Sequence, residues 1–537
     1  MPEITDLCRR ETPRAAEDRP ARPPSLVARA ARGAFWTVAT STAARAVGLA
    51  GTLLLTRFLD PDEYGEISLA AVVILTANMV SNCGLSQYLV SKPGAGREAT
   101  FHATFYFTIL GLVALAAALV LGGPIGAFVH APGIVRFLPG LAFAMVLERV
   151  ATVQDRIQVR DMRFRSVGLI RSLGEIVYSV VSVALAAVGH GRWWGGGNAV
   201  VIASVARSGV RLIVLSFTTP RREWLEPCRI TWARTRELFA FGLPMSVATL
   251  ANFGSRKWDN LVYSYHFGQG AAGIYNLAYN LADIPASQIG ETIGDVLVPS
   301  FAKMDSEQRR RKALMLAMRQ MTLLVAPLAF GLGAVAPLLA ALFDPRWASL
   351  DMALAVLSIL SVVRPISWIG SSYLQVKNMP RTIMILEAAK PIVLVGMMHL
   401  FALFGPRLLG PALLGRLGTG ENWACAAVGV VFGLNSLSYM LVFRKTDGLS
   451  LWAQLREVLP PVLACAPMVA AVLAVQGPLV SAGIGPVARL CAAIAVGAAV
   501  FVPSAFVLAP SASREFVSLL GAALTKRRGG EEATAVS

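Results

Sequence analysis

Residues 34–56 read AFWTVATSTAARAVGLAGTLLLT, residues 66–90 read EISLAAVVILTANMVSNCGLSQYLV, and the turn between them, residues 57–65, reads RFLDPDEYG. Each apolar segment is as long as the roughly 20 helical residues that cross a hydrocarbon core of about 30 Å. The two segments therefore predict a pair of antiparallel membrane-spanning helices joined by a tight turn.

Similar apolar segments recur along the 537-residue chain, which is 55% hydrophobic and only 15% charged. Soluble domains carry about 25% charged residues. The pattern predicts an all-α integral membrane protein with about 14 transmembrane helices. We place the predicted spans at residues 34–56, 66–90, 101–121, 134–153, 166–189, 197–218, 240–265, 272–300, 313–342, 350–375, 380–404, 423–443, 458–476 and 485–508.

Positive charges are sorted between alternate gaps of these spans. Arginine and lysine crowd the gaps near residues 92–97, 156–165, 221–236, 303–312, 377–381 and 444–456, whereas the other gaps hold only Arg57, Arg192, Arg346, Arg407 and Arg416. Because basic residues favour the cytoplasmic side, the pattern predicts a bacterial inner-membrane protein with both termini in the cytoplasm. Topology thus explains the net charge of +17, and nucleic-acid binding is not expected.

No pattern in the chain indicates catalysis. The six cysteines have no CxxC or zinc spacing, the five histidines form no HExxH motif, and no Walker motif is present. No predicted outer loop is longer than about 20 residues, which disfavours a membrane-embedded sugar polymerase or ligase. We therefore expect a non-enzyme that needs no metal or cofactor.

An internal repeat indicates two similar halves. A shift of 208 residues aligns Leu59, Gly65, Leu69 and Ala70 with Phe267, Gly273, Leu277 and Ala278. Two pseudo-symmetric six-helix lobes with a site between them are a common transporter design. We predict a basic tail with an interfacial helix at 1–33, an N-lobe at 34–237, a C-lobe at 238–445, two further spans at 446–510 and a cytoplasmic tail at 511–537.

Charged residues inside the spans are the candidates for function, because a charge at mid-bilayer costs about 2.5–3.5 kcal/mol on insertion scales. Arg149, Arg171 and Arg319 lie near predicted cytoplasmic ends, so we expect them to snorkel to the interface. Six others lie too deep for that: Arg45, Arg207, Arg256, Lys257, Arg364 and Lys390.

Three predicted spans carry polar stripes at helical spacing. They hold Ser41, Arg45, Thr52 and Thr56 on the first span; Thr249, Asn252, Arg256, Asp259, Asn260 and Tyr263 on the seventh; and Asn276, Asn280, Asp283, Ser287, Glu291 and Asp295 on the eighth. Together the stripes predict a hydrated cavity within the bundle. The alternative is a set of buried ion pairs, such as Arg256 with Asp283, that only fix helix packing.

Four stretches resemble the polysaccharide transporter family, the Wzx-like oligosaccharide flippases of the MOP superfamily. The run Thr56–Gly65 is similar to the sequence that closes that family's first span, and residues 32–36, RGAFW, resemble the entry to it. Residues 241–244, FGLP, resemble the start of its seventh span, and Asp259 with residues 273–278, GIYNLA, resembles its seventh-to-eighth hairpin. The likeness covers about residues 30–445, although Arg256-Lys257-Trp258 stands where members more often carry apolar residues.

The resemblance implies a MATE-like fold and a flippase for polyprenyl-diphosphate-linked oligosaccharides in exopolysaccharide, O-antigen (lipopolysaccharide) or capsule synthesis. Arg45, Arg256, Lys257 and Arg364, with Arg207 and Lys390, would bind the diphosphate. Asn252, Asn260, Asn276 and Asn280 would contact sugar hydroxyls, and Asp259, Asp283 and Glu291 would couple transport to an ion or proton. The implied partners are membrane lipid and, beyond it, the polymerase and export machinery.

Two other functions remain open from the sequence. The same fold could export a drug or a peptidoglycan precursor, although cavity arginines would repel the usual cationic drugs. A polytopic polymerase or ligase is the second alternative, and it would require an outer catalytic loop.

Overall fold

The computed structural model describes residues 47–48, 50–85, 96–161, 163–189, 191–220, 228–302, 304, 306–408 and 415–518. Within them the chain is helical and contains no strand. The α-helices are α1 (Pro61–Asn82), α2 (Gly96–Phe128), α3 (Ile134–Arg160), α4 (Phe164–Val188), α5 (Gly197–Thr218), α6 (Trp232–Ala302), α7 (Glu307–Ala340), α8 (Leu350–Leu360), α9 (Arg364–Val376), α10 (Pro380–Leu408), α11 (Gly420–Asp447), α12 (Leu451–Leu463), α13 (Cys465–Ser481) and α14 (Pro486–Leu508).

The described helices establish a multi-pass membrane protein. Ten helical segments in this part of the chain are long and apolar enough to cross a bilayer. The prediction of an all-α membrane fold is confirmed, and each predicted span from the second onward overlaps a helix within the described residues. The total of 14 crossings stays a prediction, since most of the first span lies outside the described residues.

The boundary of the second span differs from the prediction. Helix α1 begins at Pro61, five residues before the predicted start, and ends at Asn82, where Cys83 adopts a left-handed conformation with φ 47°. The acidic turn starts the helix because proline suits the first helical position and Asp62 and Glu63 favour the positive end of the helix dipole.

The predicted seventh and eighth spans form one long helix with a single break. Gly268, at φ 82° and ψ 174°, interrupts α6 and divides it into a first arm, 232–267, and a second arm, 269–302. Glycine suits this position because a side chain would strain the left-handed backbone. The break lets the two arms run in opposite directions and bring their polar stripes together.

The aligned positions of the internal repeat meet each other in space. Helix α1 packs along α6, and a Cβ on Gly65 would lie 1.9 Å from the Gln269 carbonyl oxygen. A Cβ on Gly273 would lie 3.1 Å from the Cα of Gly65. Only glycine permits so close a crossing. The repeat therefore places equivalent glycines of the two predicted lobes against each other.

The last helices pack on α7. Helices α12, α13 and α14 all contact it. Residues 510–518, which include the start of the predicted cytoplasmic tail at 511–537, are helical: Gln320 Nε2 donates to the Ala512 carbonyl oxygen at 3.2 Å, and Arg319 donates to Glu515 at 2.9 Å. The predicted interfacial helix and the rest of both tails lie outside the described residues.

Candidate functional site

Three cationic residues that were predicted to bind the diphosphate line one cavity inside the bundle. The cavity measures about 550 Å³ and lies among α1, the first arm of α6, α9, α10 and α11. Arg256, Arg364 and Lys390 line it, together with the predicted sugar ligand Asn252. Met79 of α1 also lines it, so this central cavity lies where the predicted C-lobe faces the N-lobe.

Arg364 is a buried cation of this cavity, with 7% of its surface exposed. Its guanidinium forms an ion pair with Asp283 and donates to the Tyr279 hydroxyl at 3.0 Å. The ring of Phe432 lies 4.2 Å from the guanidinium carbon, close enough for a cation–π interaction. Its Nε is buried and has no hydrogen-bond acceptor among the described residues, so Arg364 is not saturated by protein partners.

Lys390 is held by an acid that the sequence analysis did not single out. Its ammonium donates to Glu387 at 2.5 Å, and the other oxygen of that carboxylate accepts from the Tyr439 hydroxyl at 3.0 Å. Glu387 lines the central cavity. In the sequence, the signal for this ion pair is an acid three residues before a lysine within an apolar span.

Lys257 and Asp259 take part in a different arrangement, a chain of side-chain hydrogen bonds between the two arms of α6. We name it the amide relay. It runs from Lys257 through Asn280, Asn276 and Asn260 to Asp259, with each residue donating to the next at 3.3, 2.7, 2.8 and 3.0 Å. The relay links an ammonium to a carboxylate through three amides, so all of its hydrogen bonds are donated in the same direction, towards Asp259.

The relay ends in the interior of the predicted C-lobe. Asp259 is fully buried and also accepts from the Tyr275 hydroxyl at 2.5 Å. Tyr275 stacks on Tyr263, with ring centroids 4.3 Å apart. Asn260 and Asn276 are buried as well. These asparagines do not line the central cavity in this conformation, so their role as sugar ligands stays a prediction.

Arg207 lies apart from the other candidates. It lines a cavity of about 220 Å³ formed by α1, α3, α4 and α5, pairs with Glu175 at 3.4 Å and lies over the Tyr178 ring at 5.0 Å. Two other candidates cannot be placed: Arg45 lies outside the described residues, and so does the side chain of Glu291.

The prediction that Arg149 snorkels is wrong. Arg149 is 3% exposed, donates to Asn78 at 2.6 Å, Ser81 at 2.8 Å and the Phe107 carbonyl at 2.7 Å, and lies over the Phe107 ring. Neutral acceptors on α1 and α2 satisfy it, and these are invisible from one helix alone. Arg171 and Arg319 are partly exposed, and each pairs with acids.

A cluster at the predicted outer end joins the two predicted lobes. Arg346 pairs with Asp60 and donates to the Arg57 carbonyl at 3.2 Å, while Trp347 Nε1 donates to the Thr56 carbonyl at 3.1 Å. We name Thr56, Asp60, Arg346 and Trp347 the outer latch. Asp344 accepts from Arg346 at 2.8 Å, and this hydrogen bond holds the pKa of Asp344 below its usual value.

The family described as "Polysaccharide biosynthesis protein" matches residues 54–350, which include α1 through α7 and the whole amide relay. The chain belongs to this family. Matched residues also include the outer latch, Arg256 and Asp283, whereas Arg364, Glu387 and Lys390 lie beyond the matched range.

Two relatives of this polysaccharide biosynthesis protein are informative. It is 29% identical over 320 residues to the succinoglycan biosynthesis transport protein ExoT of Rhizobium meliloti (strain 1021), covering 59% of this chain and 63% of ExoT. It is 22% identical over 347 residues to the lipopolysaccharide biosynthesis protein WzxC of Escherichia coli (strain K12), covering 64% of this chain and 69% of WzxC. The matched region therefore spans less than two thirds of ExoT.

Solved structures show the fold. The inward closed conformation of the lipid II flippase MurJ superposes with a TM-score of 0.65 at 11% identity and covers 88% of this chain and 98% of MurJ. An inward-facing MATE multidrug transporter of the MOP superfamily gives 0.57 at 15% identity and covers 76% of this chain and 94% of the transporter. The predicted MOP-type fold is confirmed.

Proposed function

We propose that this polysaccharide biosynthesis protein is a flippase for polyprenyl-diphosphate-linked oligosaccharide repeat units. It would move them from the cytoplasmic to the outer leaflet of the bacterial inner membrane for exopolysaccharide, O-antigen or capsule synthesis. The observation that carries the proposal is the convergence of Arg256, Arg364 and Lys390 on one cavity among membrane-spanning helices.

The chemistry of the cavity suits a diphosphate. The idealised cost of moving one ion from water into a medium of low dielectric is on the order of 20 kcal/mol, although relaxation reduces it to several. Guanidinium and ammonium groups replace the lost water with charge-assisted hydrogen bonds, and arginine binds phosphate oxygens in pairs. Because the cavity borders both predicted lobes, a polyprenyl tail can remain in lipid while the headgroup enters.

Relatives support the substrate class rather than the fold alone. ExoT and WzxC carry names that refer to succinoglycan transport and lipopolysaccharide biosynthesis. A drug exporter is disfavoured by the cavity, because three cationic side chains would repel a cationic drug. A peptidoglycan precursor also carries a diphosphate, so the fold it shares with MurJ leaves that alternative to experiment.

Coupling to an ion or proton belongs to the same proposal. Asp283 is bound to a cavity arginine and Asp259 anchors the amide relay, so a change in the charge of either would alter the cavity or its wall. Glu291 stays a candidate from sequence. Rocking of the lobes around the central cavity would give alternating access.

The test is transfer of a fluorescent undecaprenyl-diphosphate oligosaccharide across proteoliposomes that contain the purified protein. We expect Arg256→Gln to slow transfer by at least about tenfold, because a hydrogen bond to a charged group contributes about 1.5–3 kcal/mol. Arg407→Gln, at an exposed cation near the predicted outer end, is the matched control and should transfer normally. Unchanged transfer by Arg256→Gln would remove Arg256 from the diphosphate site.

A further inference from the structure

One wall of the central cavity is an aromatic surface that the sequence analysis did not identify. Trp368 of α9 lines the cavity, and the six-membered ring of its indole lies directly on Gly290. A Cβ at Gly290 would lie 1.8 Å from that ring, so any other residue would displace it. The backbone of the second arm of α6 therefore supports a flat indole beside the cations.

Polar groups with unused hydrogen-bonding capacity line the same cavity as this indole ring. The amide of Asn252 and the Nε1 of Trp368 make no hydrogen bond within the described part of the chain, although both residues line the cavity. Glu387 accepts from Lys390 and Tyr439, and a carboxylate has about four acceptor sites, so two remain. An aromatic face with a few polar groups around it is a usual composition for a site that orients a ligand.

We propose that the sugar attached to the diphosphate binds on Trp368, with Asn252 and Glu387 as its hydrogen-bond partners, and that this subsite selects an uncharged sugar over a uronic acid. The proposal rests on the flippase function proposed above. An indole face suits the C–H groups of a pyranose ring, and the free amide and carboxylate suit its hydroxyls.

The charges around the cavity explain why an uncharged sugar would be preferred over a uronic acid. Among the described lining residues and the ion-pair partners of Arg364 and Lys390, the cations are Arg256, Arg364 and Lys390, and the anions are Glu387 and Asp283. A lipid-linked diphosphate adds two negative charges, which already leaves the anions in excess by one. A carboxylate on the adjoining sugar would add another beside Glu387, where the low dielectric strengthens repulsion. A neutral hexose adds none.

The test is binding of three probes to the purified full-length protein in nanodiscs: undecaprenyl diphosphate, undecaprenyl diphosphate glucose and undecaprenyl diphosphate glucuronic acid. We expect the glucose lipid to bind more tightly than undecaprenyl diphosphate and at least about tenfold more tightly than the glucuronic acid lipid. Equal or tighter binding of the glucuronic acid lipid would overturn the proposal. Failure of all three to bind would contradict the flippase function instead.

Four variants locate the selectivity. Glu387→Gln should narrow the preference for glucose to less than about threefold, whereas Glu387→Asp, which keeps the charge, should retain it. Trp368→Leu should abolish the gain of the glucose lipid over undecaprenyl diphosphate. Glu421→Gln, at an exposed acid in a separate cavity near the predicted outer end, is the matched control and should change neither ratio. An unchanged preference in Glu387→Gln would show that Glu387 does not select the sugar.

Discussion

Asp283 and Glu387 each bind one cation of the central cavity, and both carboxylates come from inside predicted spans. The cavity is therefore cationic without being uniformly so. In the proposed function, a diphosphate that entered it would compete with these carboxylates for Arg364 and Lys390, and such competition would permit release as well as binding. Arg256 adds a third cation from a helix that also carries the amide relay.

The amide relay gives a prediction about stability. Asn276→Ala removes the middle amide and leaves the buried side-chain amide oxygen of Asn260 without its donor. An unsatisfied buried polar group costs about 1–3 kcal/mol. We therefore expect Asn276→Ala to lower the free energy of unfolding in detergent by about 1–3 kcal/mol, and so to unfold at a lower temperature. The measurement is thermal unfolding of purified protein.

Asn252→Ala is the matched control, because Asn252 lies on the first arm of α6 and its amide has no hydrogen-bond partner in the described structure. It should lose less than about 0.5 kcal/mol, as surface-like substitutions do. Equal destabilisation by the two substitutions would show that the relay contributes no more than an isolated asparagine.

Single residues were predictable only where one helix carried the whole signal. The depth of Arg256, Arg364 and Lys390 in apolar segments identified them as cavity candidates, and they do line one cavity. The burial of Arg149 was not predictable, since its acceptors belong to α1 and α2. Trp368 was not predicted as a ligand because the sequence does not distinguish an indole in a membrane helix from other apolar residues. Its contact with Gly290 is visible only in the structure.

At the scale of elements, the turn RFLDPDEYG does more than join two helices. Asp60 and Thr56 bind the segment before α8 through Arg346 and Trp347, and Gly65 crosses the second arm of α6. The outer latch thus holds together the two predicted lobes at one end of the bundle. Its opening would be required for release on the outer side.

Weakening the outer latch should admit reagents from outside. In a variant without the six native cysteines, Asn252→Cys places a thiol in the central cavity. Adding Arg346→Gln should raise its labelling by an externally added, membrane-impermeant thiol reagent about two- to fivefold, a modest change because exposed ion pairs are weak. Arg407→Gln in the same background should leave the rate unchanged, and equal rates in both would show that the latch does not close the outer end.

The hydrogen bond that Arg346 of the outer latch donates to Asp344 should be insensitive to mild acid. The pKa of Asp344 is lowered by Arg346, so the contribution of this hydrogen bond to stability is complete above the ordinary aspartate pKa of about 3.9 and is lost only as the pH falls through the lowered value. The labelling rate of the Asn252→Cys variant depends on its thiolate fraction, so it is divided at each pH by the rate of the same variant carrying Arg346→Gln. This ratio should stay constant between about pH 8 and pH 5, and a rise in the ratio as the pH falls within that range would assign closure to another group.

Element positions followed from hydropathy, whereas element ends depended on local chemistry. The apolar segments located the helices from α1 to α14, but the start of α1 was set by Pro61 and Asp62 rather than by hydrophobicity. The predicted cytoplasmic tail at 511–537 begins with helical residues that Arg319 and Gln320 bind to α7. Such contacts between distant segments have no signature in a single stretch of sequence.

At the scale of the whole molecule, the internal repeat and the central cavity describe one design. Equivalent glycines of α1 and α6 meet at a crossing, and the cavity lies beside these two helices with its cations on α6, α9 and α10. The family match and the MOP-type fold are consistent with a transporter built in this way. The cavity lining beyond the matched residues would then be what distinguishes one substrate from another.

The proposed flippase function determines which leaflet holds the lipid-linked oligosaccharide. In cells that lack this protein, the measurement is the leaflet distribution of complete repeat units, read from their accessibility to an enzyme or lectin added outside spheroplasts. The flippase function predicts that complete units accumulate on the cytoplasmic leaflet and become accessible when the wild-type protein is restored. Complete units that reach the outer leaflet without the protein, and stay unpolymerised there, would contradict it.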